Sequence, residues 1–324
     1  MHVPDPRPPK AWTRRLAWFM AVWAAILLVA GGLVTTYRVG MAVPDWPTTF
    51  GYSMFRYPLD EMLDNFGVGI EHTHRLIAAV AGLGALVLVA TTVILRERRS
   101  LVWLAVALLA AIVAQGVVGG TRVLENSPSL AFLHGAFAQG VYALIAAFWI
   151  VTSPRWHGAV ARPCKTSRGL MRAGVLALAA VSLQIVVGAW LRHGGDGGAL
   201  ALHLILALAA IGAVLSLAAR LGSAHAAGVE GGHDRSALLG VRRWLVATLA
   251  AQVALGFVAT FAILVLSGGF DRRPVLLEVV AATAHVACGA LLLSGTVAAV
   301  LWARRLVPAA ASAAVAPGRL ETAR

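Results

Sequence analysis

Eight stretches of this chain, roughly 16–36, 70–95, 101–121, 130–152, 170–191, 199–219, 243–266 and 275–303, stay apolar for about twenty residues or more with few charges inside them. A helix needs about 20 such residues to cross the hydrocarbon core of a bilayer. In lipid every backbone polar group must be satisfied within the protein, so only helices or closed barrels can span it, and these runs lack the alternation of barrel strands. A soluble domain carries about 25% charged residues. This chain of 324 residues carries 13%, against 59% hydrophobic, which excludes a water-soluble enzyme. The fold class expected is all-α, a polytopic membrane protein with eight transmembrane helices. The first run follows a basic segment but continues past twenty residues without a clear small-x-small cleavage site, so it is read as an uncleaved anchor.

The charges orient the spans. The N-terminus, the loops after spans two, four and six, and the C-terminus hold 20 of the 27 Lys and Arg. The opposite loops and helix ends hold only Arg38, Arg56, Arg75, Arg122, Arg192, Arg272 and Arg273, with nine of the fourteen acids. The positive-inside rule therefore puts both termini in the cytoplasm. The net charge of +13 becomes a topology signal, and no nucleic-acid partner is expected; the surrounding partner is membrane lipid. The Pro-rich segment MHVPDPRPPKAW is not an amphipathic transit peptide, which favours a bacterial cytoplasmic membrane. The first external loop, about 37–69, is the longest and is expected to serve a site. The stretch 222–240 and the tails 1–13 and 306–324 are expected to be flexible. Cys164 and Cys288 fit neither a disulfide framework nor a zinc pattern.

The chain repeats internally. Gln115-x-x-x-Gly119, Gln184-x-x-x-Gly188 and Gln252-x-x-x-Gly256 lie in the third, fifth and seventh spans, and His74, His134, His203 and His285 in the even-numbered ones. The spans read as helical hairpins paired into two four-helix halves, 14–155 and 168–305. The glutamines are expected to act as packing glue between helices. Counted back from Arg96, Arg155, Arg220 and Arg304, the four histidines differ in depth by about 7 Å, little more than a turn. They form one layer toward the external side. Ionisable groups inside spans mark functional sites, and helical bundles hold cofactors between facing side chains. Imidazole is an axial ligand of haem iron, so His74, His134, His203 and His285 are candidate haem-iron ligands; zinc or copper can also take imidazole, but four ligands split between two halves would not converge on one ion. Pairing within each half, His74 with His134 and His203 with His285, is the simplest arrangement; a swapped pairing across halves stays open. The other histidines, His2, His157, His193, His225 and His233, are expected to be solvated. His72 points away from His74 and is expected to meet the external loop.

The halves differ in their surroundings. Glu71, His74 and Arg75 cluster at the start of the second span, with Glu71 and His74 one turn apart on one face. A carboxylate there could orient water or accept protons during an oxidation, whereas the bland alternative is a simple Glu71–Arg75 pair. The N-terminal half is expected to do chemistry and the C-terminal half to hold a resident group.

Glu71-x-x-His74-Arg75, the loop run Gly40-Met41-Ala42-Val43-Pro44-Asp45-Trp46-Pro47 and Gly119-Gly120-Thr121 together resemble the haem A synthase family, across essentially all eight spans. The resemblance implies haem B as cofactor, bound by His203 and His285. It implies haem O as substrate near Glu71, His74, Arg75 and His134, its C8 methyl oxidised through hydroxylated intermediates to the formyl group of haem A, the last step of that biosynthesis. It also implies haem O synthase and cytochrome oxidase assembly factors as partners. Many bacterial members carry a cysteine pair where this chain has Val43 and Thr49, so no disulfide forms in this loop. Two other readings are a dihaem b-type cytochrome taking electrons from quinol and a transporter built on the internal repeat.

Overall fold

The computed structural model describes residues 8–162, 167–194, 197–269 and 272–308. His2, Cys164, Gly195, Asp196 and most of both tails lie outside them. Helix α1 (Ala11–Thr36) leads into the long loop. That loop carries a two-residue-per-strand hairpin, β1 (Thr48–Thr49) with β2 (Tyr52–Ser53), and a short α2 (Leu59–Asp64). There follow α3 (Phe66–Ile94), α4 (Arg99–Leu124), α5 (Pro128–Thr152) and the short α6 (Pro154–Gly158). The chain continues through α7 (Ser167–Gly194), α8 (Gly197–Glu230) and α9 (Ser236–Phe261), which ends in a π-helical turn at Ala262–Leu266, to α10 (Leu276–Leu306). Eight of these helices are long and apolar enough to cross a membrane, and each holds one of the apolar runs. The protein is a multi-pass, all-helical membrane protein.

Helix starts follow local chemistry. The Asn65 side chain accepts from the N–H groups of Gly67 and Val68 to open α3. Ser127 accepts from Leu130 N–H, with Pro128 in the first turn of α5, where a missing N–H costs nothing. One expectation fails. The stretch 222–240, expected to be loose, is helical to Glu230 and again from Ser236. Its Ala-rich composition favours helix, and the buried Arg235 ties the turn down by donating to Ala224 O at 2.8 Å. Arg220 therefore does not end its helix. Its guanidinium lies against Gly169 near the start of α7.

The helices pack α1–α3–α4–α5 and back to α1, and α7–α8–α9–α10 and back to α7. Met20, Leu88, Leu101, Leu108 and Phe148 fill one core; Leu217, Leu221, Leu238, Leu245 and Trp302 fill the other. Helices α1 and α5 pack on α10, and α5 also packs on α7. Helix α10 is the central stave: 67% of its most apolar stretch is buried, against 17–44% for the other seven. Small residues allow the approach. A Cβ on Gly32 of α1 would stand 2.9 Å from the Thr283 methyl of α10.

Candidate functional site

His74, His134, His203 and His285 all fall in the first three turns of α3, α5, α8 and α10, toward the end of the bundle that carries the 37–65 loop. Each ring rests on a glycine of the preceding long helix. A Cβ added at Gly31, Gly119, Gly188 or Gly256 would stand 3.2, 2.7, 2.8 or 3.0 Å from Cε1 of His74, His134, His203 or His285 respectively. The glycine of Q-x-x-x-G thus makes room for an imidazole. The His203 and His285 ring centroids are 6.4 Å apart with their planes inclined at 66°, and His134 is an electrostatic neighbour of His74. The structure sets His203 and His285 side by side, and puts His134 in the electrostatic surroundings of both His74 and His193.

The glutamines do more than glue helices. Gln115 Nε2 donates to His134 O at 2.8 Å, and His134 Nδ1 lies 3.1 Å from Gln115 O. Gln184 Nε2 donates to His203 O at 2.9 Å and is 3.2 Å from both ring nitrogens. Gln252 Nε2 is 3.1 Å from His285 Nε2, while His285 Nδ1 lies 3.1 Å from Gln252 O.

Glu71 and Arg75 do form the bland pair, Arg75 Nη2 donating to Glu71 Oε1 at 2.7 Å. That pair also nails the loop to α3. Val43 N–H donates to Glu71 Oε2 at 3.0 Å, and Arg75 donates to the carbonyls of Val43, Asp45 and Thr48 at 2.9, 2.7 and 3.1 Å. Val43 and Thr49, both fully buried, sit at this junction. Thr49 Oγ1 is 3.1 Å from His72 Nδ1, so His72 meets the loop as expected. Trp46 lies so close over Gly120 that a side chain there would strike the indole. Within the loop, burial would raise the Asp45 carboxyl, but hydrogen bonds from Gly51 N–H, the Thr48 hydroxyl and Phe50 N–H outweigh it and hold it below the ordinary carboxylate value.

Several functional candidates were missed. His193, expected to be solvated, is half-buried in the last turn of α7, its Nε2 against Gly135, with Arg192, Arg122 and His134 as electrostatic neighbours. Arg122 and Arg192, counted as external-side charges, turn inward: Arg122 donates to Gly40 O at 3.0 Å, and Arg192 to Gly32 O at 2.9 Å and to the Thr36 hydroxyl. The C-terminal half is not without a carboxylate. Glu278 is buried in the first turn of α10, accepts a hydrogen bond from the Ser267 hydroxyl and has Arg192 as a neighbour. The signal was an acid seven residues before His285, two turns away on one face. Among the described residues no three His, Cys, Asp or Glu converge as a metal-ion shell; the imidazoles come in pairs.

Eight apolar helices, interior imidazoles and a loop fastened over a buried ion pair define a polytopic membrane protein. Residues 14–200 match the COX15-CtaA family, described as cytochrome oxidase assembly protein, and the chain belongs to that family, the one its motifs resemble. The match contains Glu71, His74, Arg75 and His134 but stops short of His203 and His285, so it covers less than the eight spans expected. No curated protein matches the chain.

Proposed function

We propose that this protein is a haem A synthase, an oxidoreductase converting the C8 methyl of haem O to the formyl group of haem A through hydroxylated intermediates. What carries the proposal is the set of four imidazoles, each seated on a glycine of the preceding long helix, with His203 and His285 close together. Two interior imidazoles with ring centroids 6.4 Å apart are the residues that would hold a haem iron in this half.

His203 and His285 would hold a resident haem B, which when bound supplies one-electron chemistry. His74 and His134 would hold haem O. Gly119 and Gly31 make the space for their rings, and Gln115 fixes the His134 backbone and ring. Glu71 stands one turn from His74 and would take up protons released as the methyl is oxidised, with Arg75 holding the carboxylate in place. The loop, fastened by Arg75, Glu71, His72 and Arg122, would exclude bulk water from that end. Both termini would face the cytoplasm of a bacterial inner membrane, with the loop and the imidazole layer toward the outside, as the charge asymmetry supports. Haem O synthase and oxidase assembly factors would be the partners for delivery and use.

The test is mass-detected chromatography of haems extracted from the purified protein, expressed in cells that also make haem O. Haem A or its hydroxylated precursor beside haem B is the expected result, absent from a no-protein control. Glu71→Ala should abolish oxidation and leave haem B in place. Haem B alone, near two per chain, would instead favour the dihaem cytochrome; buried Glu278 favours that alternative by making the halves less unequal than Glu71 alone suggested.

A further inference from the structure

At the end of the bundle opposite the 37–65 loop, the arginines divide into two kinds. Several are spent on the protein itself. Arg235 donates to Ala224 O at 2.8 Å, Arg305 donates to Trp156 O at 3.1 Å and lies over the same indole, and Arg15 lies over Trp12. Arg14 and Arg155 are different. Arg14 gives one bond, from Nη1 to Pro9 O at 2.8 Å, and the Arg155 side chain makes no hydrogen bond among the described residues. Neither has an ion-pair partner among those residues.

These two come from opposite ends of the first helix set, the first turn of α1 and the start of α6, yet they line one crevice of about 400 Å³. Its other walls are Trp149, Thr152, Ser153 and Pro154. An excess of cations on one side sets topology, but that does not require them to converge. Two guanidiniums drawn to one crevice repel, and no acid lines it to offset them. Glu97, an acid at this end, already accepts from Lys10 N–H at 2.7 Å and from the Thr13 hydroxyl at 2.8 Å. Asp234 is an electrostatic neighbour of Arg155 but lines a second crevice, where it accepts from Ser236 N–H at 2.9 Å.

The first crevice is layered as a bilayer surface is. Helix α5 runs toward this end, so Trp149, 44% exposed, lies deeper than Pro154 and Arg155. Indoles settle at the boundary between acyl chains and headgroups, and long basic side chains reach outward from there to the headgroups. Basic pockets between spans on the cytoplasmic side bind lipid headgroups.

We propose that this crevice binds one anionic phospholipid, its headgroup phosphate held between Arg14 and Arg155 and its glycerol and upper acyl chain against Trp149. The Ser153 oxygen accepts from Trp156 N–H at 3.2 Å, which leaves the hydroxyl hydrogen for a phosphate oxygen. The lipid then neutralises two cations that the protein leaves unpaired and fastens the start of α1 to the junction of α5 and α6. The site is independent of any group held by the imidazoles.

The experiment is native mass spectrometry of the full chain, delipidated in detergent and titrated with dioleoylphosphatidylglycerol or dioleoylphosphatidylcholine. Wild type should take up one phosphatidylglycerol in preference to phosphatidylcholine. Arg14→Gln and Arg155→Gln should each weaken that binding about fivefold, and the double variant by the product of the two. Arg14→Lys and Arg155→Lys should keep most of the affinity. Arg162→Gln, in the second crevice, should leave it unchanged. Excess inorganic phosphate should leave the lipid bound; displacement by it would make this a site for a soluble anion and overturns the proposal. Equal uptake of the two lipids overturns it as well. So does an equal loss in Arg162→Gln, which would reduce the effect to diffuse surface charge, or a loss in the lysine variants as large as in the glutamine ones.

Discussion

At the scale of single residues, the closest approaches fix the sharpest expectations. A methyl at Gly119 would stand 2.7 Å from the His134 ring, and one at Gly31 would stand 3.2 Å from His74. Gly119→Ala must push a pinned ring or its helix, and overpacking of this kind costs about 1–3 kcal/mol. Gly31→Ala meets its ring at the longer distance and should cost less. Thermal inactivation midpoints of the two variants should rank in that order. Asp45 supplies a pH expectation. Its folded-state carboxyl titrates below the unfolded value of about 3.9, so its contribution is complete above that value and fades as pH falls through the lower, folded one. The loop should hold from neutral pH to about 5 and loosen below about 4, and Asp45→Asn should lose that acid dependence. Hydrogen exchange of residues 40–58 across this range is the measurement.

At the scale of elements, the eight long helices were legible because lipid leaves a backbone so few options, and the histidine layer because 3.6-residue geometry converts spacing into depth. What stayed hidden depends on contacts between distant elements. Nothing local to Val43 or Thr49 announces that the first donates to Glu71 and the second touches His72. Nothing near Arg122 or Arg192 shows that they turn inward to α1 and its loop rather than outward. His193 was misjudged because its glycine-rich neighbours suggested a turn, whereas α7 continues to Gly194. The glutamine repeat was visible, but its partners were not. Arg235 belongs here too: its burial joins α8 to the turn before α9. A hydrogen bond from a charged group is worth about 1.5–3 kcal/mol. Arg235→Ala should therefore open the 222–236 segment to protease at concentrations that leave wild type intact.

At the scale of the whole molecule, the charge asymmetry makes a directional expectation. A cysteine at Phe55, which is 72% exposed in the loop, in a Cys164→Ser background, should react with a membrane-impermeant maleimide on intact cells. One at Arg155 should react only after permeabilisation. Labelling in the reverse order would invert the topology. The bundle is also asymmetric across its thickness. The imidazoles cluster toward one end, while the opposite end is filled by Leu, Phe and Trp side chains.

The central position of α10 bears on whether the two sets of helices are separable. Its neighbours include α1 and α5 from the first set, with Thr36 and Thr283 hydroxyls 3.3 Å apart and Arg192 reaching back to α1. The tether between the sets, near residue 162, is itself bonded to the end of α10, Arg162 N–H to Leu306 O at 3.0 Å. Two polypeptides, split in the tether and made in the same cell, should assemble and co-purify as a heterodimer. Either one made alone would leave a seam of small residues facing lipid, a surface that invites the wrong neighbour.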